Sequence, residues 1–162
     1  MSVALLIIDM QVGCREDCRY QAEFDQAVEY INETARLFRA KGLPVVVVQD
    51  IEVSGGPGHD GFAVVPSINR SETDIVIHKE YNNAFWQTNL AEVLKDKGVD
   101  FIVVSGFAAE YCVLFTYNGA VEQGFGASLL QHGVAGVNAD EIKRIQLLRP
   151  VISIQALEHF IQ

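Results

Sequence analysis

The stretch Phe101-Ile-Val-Val-Ser-Gly-Phe-Ala-Ala-Glu-Tyr-Cys-Val-Leu-Phe-Thr116 organises the interpretation of this chain. It opens with a short apolar run, which is typical of a strand that is buried on both faces of a parallel sheet. From Gly106 onward the pattern predicts a turn and then a helix over Glu110–Gln123. Cys112 therefore falls in the first turn of a helix, directly after a buried strand.

This location favours a nucleophilic role for Cys112. The first N–H groups of a helix are unpaired and carry partial positive charge, so they favour a thiolate and can stabilise a developing oxyanion. Most free cysteines, however, are small buried hydrophobic residues. The local sequence leaves both interpretations open, and other segments of the chain have to decide between them.

Length and composition are those of one domain over residues 1–162. The chain is 49% hydrophobic and 20% charged, and its mean hydropathy of +0.17 is that of a folded chain that also tends to self-associate. A net charge of −9 argues against nucleic acid or an anionic membrane as a partner, because both bind clustered Lys and Arg. We expect a small-molecule substrate and a homo-oligomer, either a dimer or a larger assembly.

The cysteines and the N-terminal segment indicate the compartment. Cys14, Cys18 and Cys112 show no pairing pattern, which predicts a reducing environment. No second Cys or His pair at metal spacing accompanies Cys14 and Cys18, so we predict no zinc site there. The apolar run Val3–Ile8 stops at Asp9 without a basic region before it, unlike a signal peptide or a membrane span. We expect the protein to be cytoplasmic.

Apolar runs and amphipathic segments alternate along the chain. The predicted strands are Val3–Ile8, Val45–Val48, Asp74–Lys79, Phe101–Ser105 and Ala127–Leu130. The C-terminal segment, from Val151 to Ile161, is either a short strand and a helix or one irregular segment. Ile51–Arg70 is a long loop that could cover a site. Parallel strands that alternate with helices of ten or more residues require right-handed crossovers. We therefore predict a three-layer α/β/α fold with an open, mostly parallel sheet.

Asp9, Lys79 and Cys112 each stand at the carboxyl end of a predicted strand. In a parallel sheet these ends share one edge, which is where open α/β folds bind ligands. The three side chains supply a nucleophile, a carboxylate able to take its proton, and a cation that stabilises the thiolate or orients the carboxylate. Taken singly, Asp9 and Lys79 are also compatible with structural roles at strand ends.

Three segments resemble the isochorismatase-like cysteine hydrolase superfamily, which includes nicotinamidases and N-carbamoylsarcosine amidohydrolases. They are Leu5-Leu-Ile-Ile-Asp-Met-Gln11, His78-Lys-Glu-Tyr-Asn-Asn-Ala-Phe85 and Gly106-Phe-Ala-Ala-Glu-Tyr-Cys-Val-Leu-Phe-Thr116, with Ala120 and Gly124 beyond. They occur in the family's order and span most of the chain. The resemblance implies a six-stranded, Rossmann-type parallel sheet and a catalytic triad of Cys112, Asp9 and Lys79.

The resemblance also implies details of the site. A non-proline cis peptide would join Phe107 and Ala108, and the backbone N–H groups of Ala108 and Cys112 would form the oxyanion hole. The loop residues Tyr81, Phe85 and Trp86 lie beside Lys79 in sequence. They are partly core residues or, together with Phe107, the walls of a pocket for a flat substrate. We predict that these four aromatic residues bind the substrate.

The chain departs from the nicotinamidase pattern after the second strand. Nicotinamidases have a metal-binding Asp-x-His and further histidines, whereas this chain has Asp50-Ile-Glu52 and only His59 nearby. We therefore predict no metal and no cofactor, with Asp50, Glu52 and His59 in a solvated loop. His132 stands where the family often has Asp, and the sequence does not explain this change.

Together these features predict a cysteine hydrolase that cleaves a small amide-like C–N bond through a thioester. Asp9 takes the thiol proton and gives it to the leaving amine, Lys79 stabilises charge and Cys112 attacks. Two alternatives stay open. One is isochorismatase-type hydrolysis of a vinyl ether, which the presence of Cys112 disfavours, and the other is a ligand-binding or redox-sensing relative without turnover.

Overall fold

The alternating segments form a single six-stranded sheet in the computed structural model, which describes residues 2–161. The strands are β1 (Val3–Ile8), β2 (Val45–Asp50), β3 (Ile75–Lys79), β4 (Phe101–Gly106), β5 (Gly126–Val134) and β6 (Val151–Ile152). The helices are α1 (Val12–Asp17), α2 (Gln21–Ala40), α3 (Leu90–Asp96), α4 (Leu114–Glu122), α5 (Ala139–Leu148) and α6 (Ile154–Phe160). A π-helical turn over Ala109–Val113 leads into α4, and short 3₁₀ turns lie at Val53–Gly55 and Asp60–Phe62.

Neighbouring strands all pair in parallel, in the order β3-β2-β1-β4-β5-β6. The central strand β1 is buried along its whole length, which explains why its sequence is apolar without alternation. The predicted α/β class and the six-stranded parallel sheet are confirmed. Because the strands are parallel, β1, β2, β3 and β4 present their carboxyl ends to the same edge.

Successive residues of β1 pack on opposite faces of the sheet, as the pleat of a strand requires. Ile7 belongs to the core on one face, together with Phe24 of α2. Leu6 belongs to the core on the other face, together with Leu94 of α3. Helices therefore cover both faces, and the edge formed by the strand ends is left for the site.

Some predicted boundaries change. β5 continues to Val134, beyond the predicted end at Leu130, because the register shifts after Val104 and pairs Gly106 with Val134. The close of the chain forms β6 and α6, which were one of the two predicted alternatives. Cys14 lies in the short helix α1, and Cys18 directly follows that helix. Across residues 2–161, no helix combines the length and the apolarity needed to cross a bilayer.

Close contact between β1 and β4 requires a glycine at the end of β4. Gly106 has φ 112°, and a Cβ at this position would lie 2.1 Å from the carbonyl oxygen of Ile8. The next N–H group, of Phe107, donates to that same carbonyl at 2.9 Å. The turn that leads to Cys112 is therefore held directly beside the end of β1 and its neighbour Asp9.

Candidate active site

The ends of β1 and β3 and the turn after β4 bring the three predicted catalytic side chains together. Lys79 Nζ lies 2.9 Å from Asp9 Oδ2 and 3.3 Å from Cys112 Sγ. A carboxylate oxygen of Asp9 lies within 4.8 Å of the sulfur. The Lys79 side chain is 0% exposed. A nucleophile, a base and a cation thus form one cluster, although they are far apart in sequence.

Asp50 is a fourth member of this cluster. Its Oδ2 lies 2.8 Å from Lys79 Nζ, and its Oδ1 accepts a hydrogen bond from the Glu52 N–H group at 2.9 Å. From the sequence we expected Asp50 in a solvated loop, whereas it is the last residue of β2 and is half-buried. Its register partner in the sheet is Lys79, so the pairing of β2 with β3 was the signal that could have revealed the contact.

Gln11 fixes the backbone of Asp50. Gln11 is fully buried; its Oε1 accepts from the Asp50 N–H at 2.8 Å and its Nε2 donates to the Asp50 carbonyl at 3.1 Å. The same Nε2 donates to the Phe62 carbonyl at 2.9 Å. This side chain therefore ties the end of β2 and the following loop to the segment after β1.

Burial dominates the electrostatics of Asp9. Burial raises the pKa of Asp9 to about 6, although the Lys79 ammonium lowers it. At Lys79 burial acts to lower the pKa, but the negative charges of Asp9 and of a Cys112 thiolate outweigh it and raise the pKa above its ordinary value. Lys79 is therefore a stable cation, whereas Asp9 exchanges its proton close to neutral pH.

The resting sulfur of Cys112 is a thiol. Burial and the negative charge of Asp9 raise the pKa of Cys112 above its ordinary value, against the opposing effect of Lys79. This differs from the expectation that the helix N-terminus favours a thiolate here, because burial of the sulfur, and after it the charge of Asp9, raise the pKa of Cys112. The proton must therefore leave during attack, and Asp9 is the neighbouring base that can take it.

Asn82 contacts the sulfur and was assigned no role from the sequence. Cys112 Sγ donates to Asn82 Oδ1 at 3.4 Å. The buried Thr116 donates its hydroxyl to the Asn82 carbonyl at 3.3 Å and accepts from the Ala84 N–H at 3.0 Å. The loop after β3 is thus hydrogen-bonded to the helix that follows the cysteine.

The turn before Cys112 has the backbone that the resemblance implied. The peptide bond between Phe107 and Ala108 is cis. The π-helical turn that contains Cys112 begins directly afterwards, and the N–H of Val113 donates to the carbonyl of Ala108 at 3.1 Å. The assignment of the Ala108 and Cys112 N–H groups to an oxyanion hole stays a prediction.

Two of the four predicted substrate contacts lie at the surface beside Lys79. Tyr81 is 45% exposed and Trp86 is 57% exposed. With Lys79 they line a cavity of about 150 Å³ at the end of β3. Cys112 is not among the residues that line it, so these aromatic side chains border the cluster and do not enclose the sulfur.

The other two predicted contacts are core residues. Phe85 is buried and packs against Phe125, with ring centroids 5.8 Å apart. Phe107 is also buried and packs against Phe24 at 5.9 Å. Phe85 and Phe107 thus belong to the cores on the two sides of the sheet, which favours the core interpretation, and their contact with a substrate stays a prediction.

The donor set does not fit a divalent metal ion. Within residues 2–161, Asp9, Asp50 and Cys112 are the group of three potential ligands, and Lys79 Nζ lies within 3.3 Å of an atom of each. That ammonium takes the position and supplies the positive charge that a cation would need. Glu52 and His59 are exposed on the following loop.

His132 has a packing contact. It lies within β5 near the carboxyl end of the strand, its side chain is exposed and its φ is 60°. Its ring packs at a tilt against Tyr30 of α2, with centroids 4.9 Å apart. This contact joins α2 to β5 and accounts for an aromatic side chain at a position that the sequence left unexplained.

Comparisons with known proteins agree with this fold. Residues 3–154 match the family model described as the Isochorismatase domain. The isochorismatase family protein YrdC of Bacillus subtilis strain 168 is 27% identical over 136 residues, which cover 82% of this chain and 73% of YrdC. Pyrazinamidase of Pyrococcus horikoshii, in complex with zinc, superimposes with a TM-score of 0.78 at 27% identity and covers 95% of this chain and 99% of its own. N-carbamoylsarcosine amidase from Thermoplasma acidophilum superimposes with a TM-score of 0.79 at 26% identity and covers 94% of this chain and 95% of its own. The chain belongs to the isochorismatase family.

Proposed function

We propose that this protein is a cysteine hydrolase that cleaves the C–N bond of a small amide through a thioester intermediate. The observation that carries the proposal is the contact of one buried ammonium, that of Lys79, with both the Asp9 carboxylate and the Cys112 sulfur. The similar structures named as a pyrazinamidase and an N-carbamoylsarcosine amidase support amide chemistry.

Attack begins from the resting thiol. Cys112 Sγ forms a bond with the carbonyl carbon of the substrate while its proton passes to Asp9. The carbonyl oxygen becomes an oxyanion, which the backbone N–H groups of Ala108 and Cys112 would stabilise. Lys79 keeps Asp9 oriented and balances the negative charge that passes from the carboxylate to the substrate.

Collapse of this intermediate releases the amine. The C–N bond breaks, and Asp9 returns the proton to the leaving nitrogen, so that a thioester remains on Cys112. Water then attacks the thioester carbon, Asp9 takes a proton from that water, and the sulfur leaves and is protonated again. A base with a pKa of about 6 is suited to both directions of transfer near neutral pH.

A substrate panel tests the function. Small amides, ureas and carbamoyl compounds are incubated with the protein, and released ammonia or amine is measured. We expect release from at least one compound and, on addition of hydroxylamine, a hydroxamate formed from the thioester. Cleavage of a vinyl ether such as isochorismate, with no release from any amide, would instead support the isochorismatase-type alternative.

We further propose that the chain forms a homo-oligomer. Next to Cys112, Tyr111 and Phe115 are 53% and 48% exposed, and Trp86 is 57% exposed on the neighbouring loop. Exposed aromatic residues that surround a site are commonly buried by a second copy. Analytical ultracentrifugation at micromolar concentration should give at least twice the chain mass of 17.9 kDa. A single species with the mass of one chain would contradict this proposal.

A further inference from the structure

The Asn82 carboxamide faces the sulfur of Cys112 from the exposed side. Asn82 Oδ1 and Cys112 Sγ are 3.4 Å apart, in a contact that is open to solvent. Lys79 approaches the same sulfur at 3.3 Å from the interior, where its side chain is 0% exposed. A substrate that reaches the sulfur from solvent therefore meets Asn82 first.

Asn82 is held in a fixed position by the helix that follows the nucleophile. Its carbonyl accepts from the buried Thr116, which also accepts from the Ala84 N–H. The next residue, Asn83, packs so closely on α4 that a Cβ at Gly119 would lie 2.2 Å from Asn83 Oδ1. A group on a fixed backbone binds with less loss of conformational entropy.

The thiol of Cys112 has one proton and two acceptors beside it, namely Asn82 Oδ1 at 3.4 Å and the carboxylate of Asp9, whose hydrogen bond with Cys112 acts to lower the Asp9 pKa. The nearby Asp9 has a buried oxygen, Oδ1, for which no hydrogen-bond partner is found within residues 2–161. Asn82 and the base therefore compete for the same proton. For attack to occur, the S–H bond of Cys112 must point to Asp9 and not to Asn82.

We propose that Asn82 is a specificity-determining residue that selects substrates with an N–H bond on the scissile nitrogen. That N–H donates to Asn82 Oδ1 and replaces the thiol there, so the S–H bond is released toward Asp9. The S–C bond then forms as the proton moves to Asp9, and the same proton goes to the nitrogen when the C–N bond breaks.

The chemical class of the substrate follows. Primary amides, ureas and carbamoyl groups have the required N–H bond, whereas esters and N,N-dialkyl amides do not. A site built to hydrogen-bond an N–H group discriminates against analogues that lack it, because its acceptor is then left unpaired. This inference rests on the proposed amide hydrolysis, which supplies the role of the scissile nitrogen.

The test uses two alkylating probes, iodoacetamide and methyl iodoacetate, which differ in the amide N–H bonds. With either probe the Cys112 sulfur bonds to the methylene carbon, iodide leaves, and the thiol proton goes to a base. Mass spectrometry gives the rate constant of each probe at Cys112. The iodoacetamide rate constant is divided by that of methyl iodoacetate, and this ratio is divided by the same ratio measured for glutathione. We expect a quotient of about 5 to 10 in the wild type, the factor that one neutral hydrogen bond supplies, and of about 1 in Asn82→Ala.

Two further variants serve as controls. Glu80→Gln alters an exposed residue of the same loop and should keep the wild-type quotient. Asn82→Asp keeps an acceptor oxygen and should give at least the wild-type quotient, because a carboxylate accepts from the probe's N–H more strongly than a carboxamide, while its effect on the thiol is common to both probes. Circular dichroism checks that each variant is folded. A wild-type quotient in Asn82→Ala would overturn the proposal.

Turnover gives a second measurement. For a primary amide cleaved in the panel and the methyl ester of the same acid, Asn82→Ala should lower the ratio of kcat/KM values by about the same factor. The alkylation quotient needs no turnover. If no amide is cleaved but the quotient is high and depends on Asn82, amide hydrolysis fails while the preference of Asn82 for an N–H donor is supported.

Discussion

Replacing Cys112 with alanine is expected to lower amide turnover by at least ~100-fold while the fold stays intact. Without the sulfur no thioester can form, and the remaining groups cannot replace a covalent intermediate. The measurement is kcat for ammonia release, together with the loss of the hydroxamate that forms in the presence of hydroxylamine. Cys18→Ala is the matched control, because Cys18 is buried and its sulfur donates to backbone carbonyls.

Chemical labelling provides an independent check on Cys112. Iodoacetamide should label Cys112 faster than Cys14 or Cys18, which are 7% and 3% exposed. Burial raises the pKa of both Cys14 and Cys112, so the expected difference comes from the greater exposure of Cys112 and from Asp9, the base beside its sulfur. A competing substrate should protect Cys112. Equal labelling of all three cysteines, or full turnover in Cys112→Ala, would favour the non-catalytic binding alternative.

Asp9→Asn is expected to lower turnover by at least ~100-fold as well, because an amide side chain cannot take the thiol proton. In the wild type the base must be a carboxylate. Since burial raises the pKa of Asp9 to about 6, kcat/KM should fall as the pH drops below about 6. The residual kcat/KM of Asp9→Asn should not show this fall at acid pH. The pH profiles of both proteins, measured with one amide, provide the comparison.

Stability separates this chemical effect from damage to the fold. The pKa of Asp9 is raised in the folded state, so its contribution to stability is fully present below the unfolded-state pKa and is lost as the pH rises through about 6. Asparagine resembles the neutral form, so Asp9→Asn should unfold at no lower a temperature than the wild type at pH 8. Near-normal turnover in this variant would make Asp9 a structural residue.

The sequence was sufficient to predict the sheet and three members of the cluster. A strand buried on both faces has a continuous apolar run, as β1 does, and parallel strands gather their ends at one edge. Asp9, Lys79 and Cys112 are therefore placed together by topology alone. Their contacts at 2.9 and 3.3 Å agree with that argument.

The parts that were missed depend on side-chain geometry. Asp50 contacts Lys79 because β2 and β3 pair in a register that places them side by side, and a single sequence does not give register. Asn82 reaches the sulfur because Thr116 holds its loop. The sequence left Phe85 between two environments, since an apolar loop residue can face either the core or a pocket, and the structure places it in the core.

The position of Lys79 limits how the site can bind a carbonyl group. An ammonium has three N–H bonds, and Asp9, Asp50 and Cys112 each place an acceptor within 3.3 Å of Nζ. Each N–H bond thus has an acceptor within the protein, and none is free for the oxygen of a substrate. The lysine therefore acts as a fixed charge inside the scaffold, and the substrate's oxygen has to find its donors on the main chain.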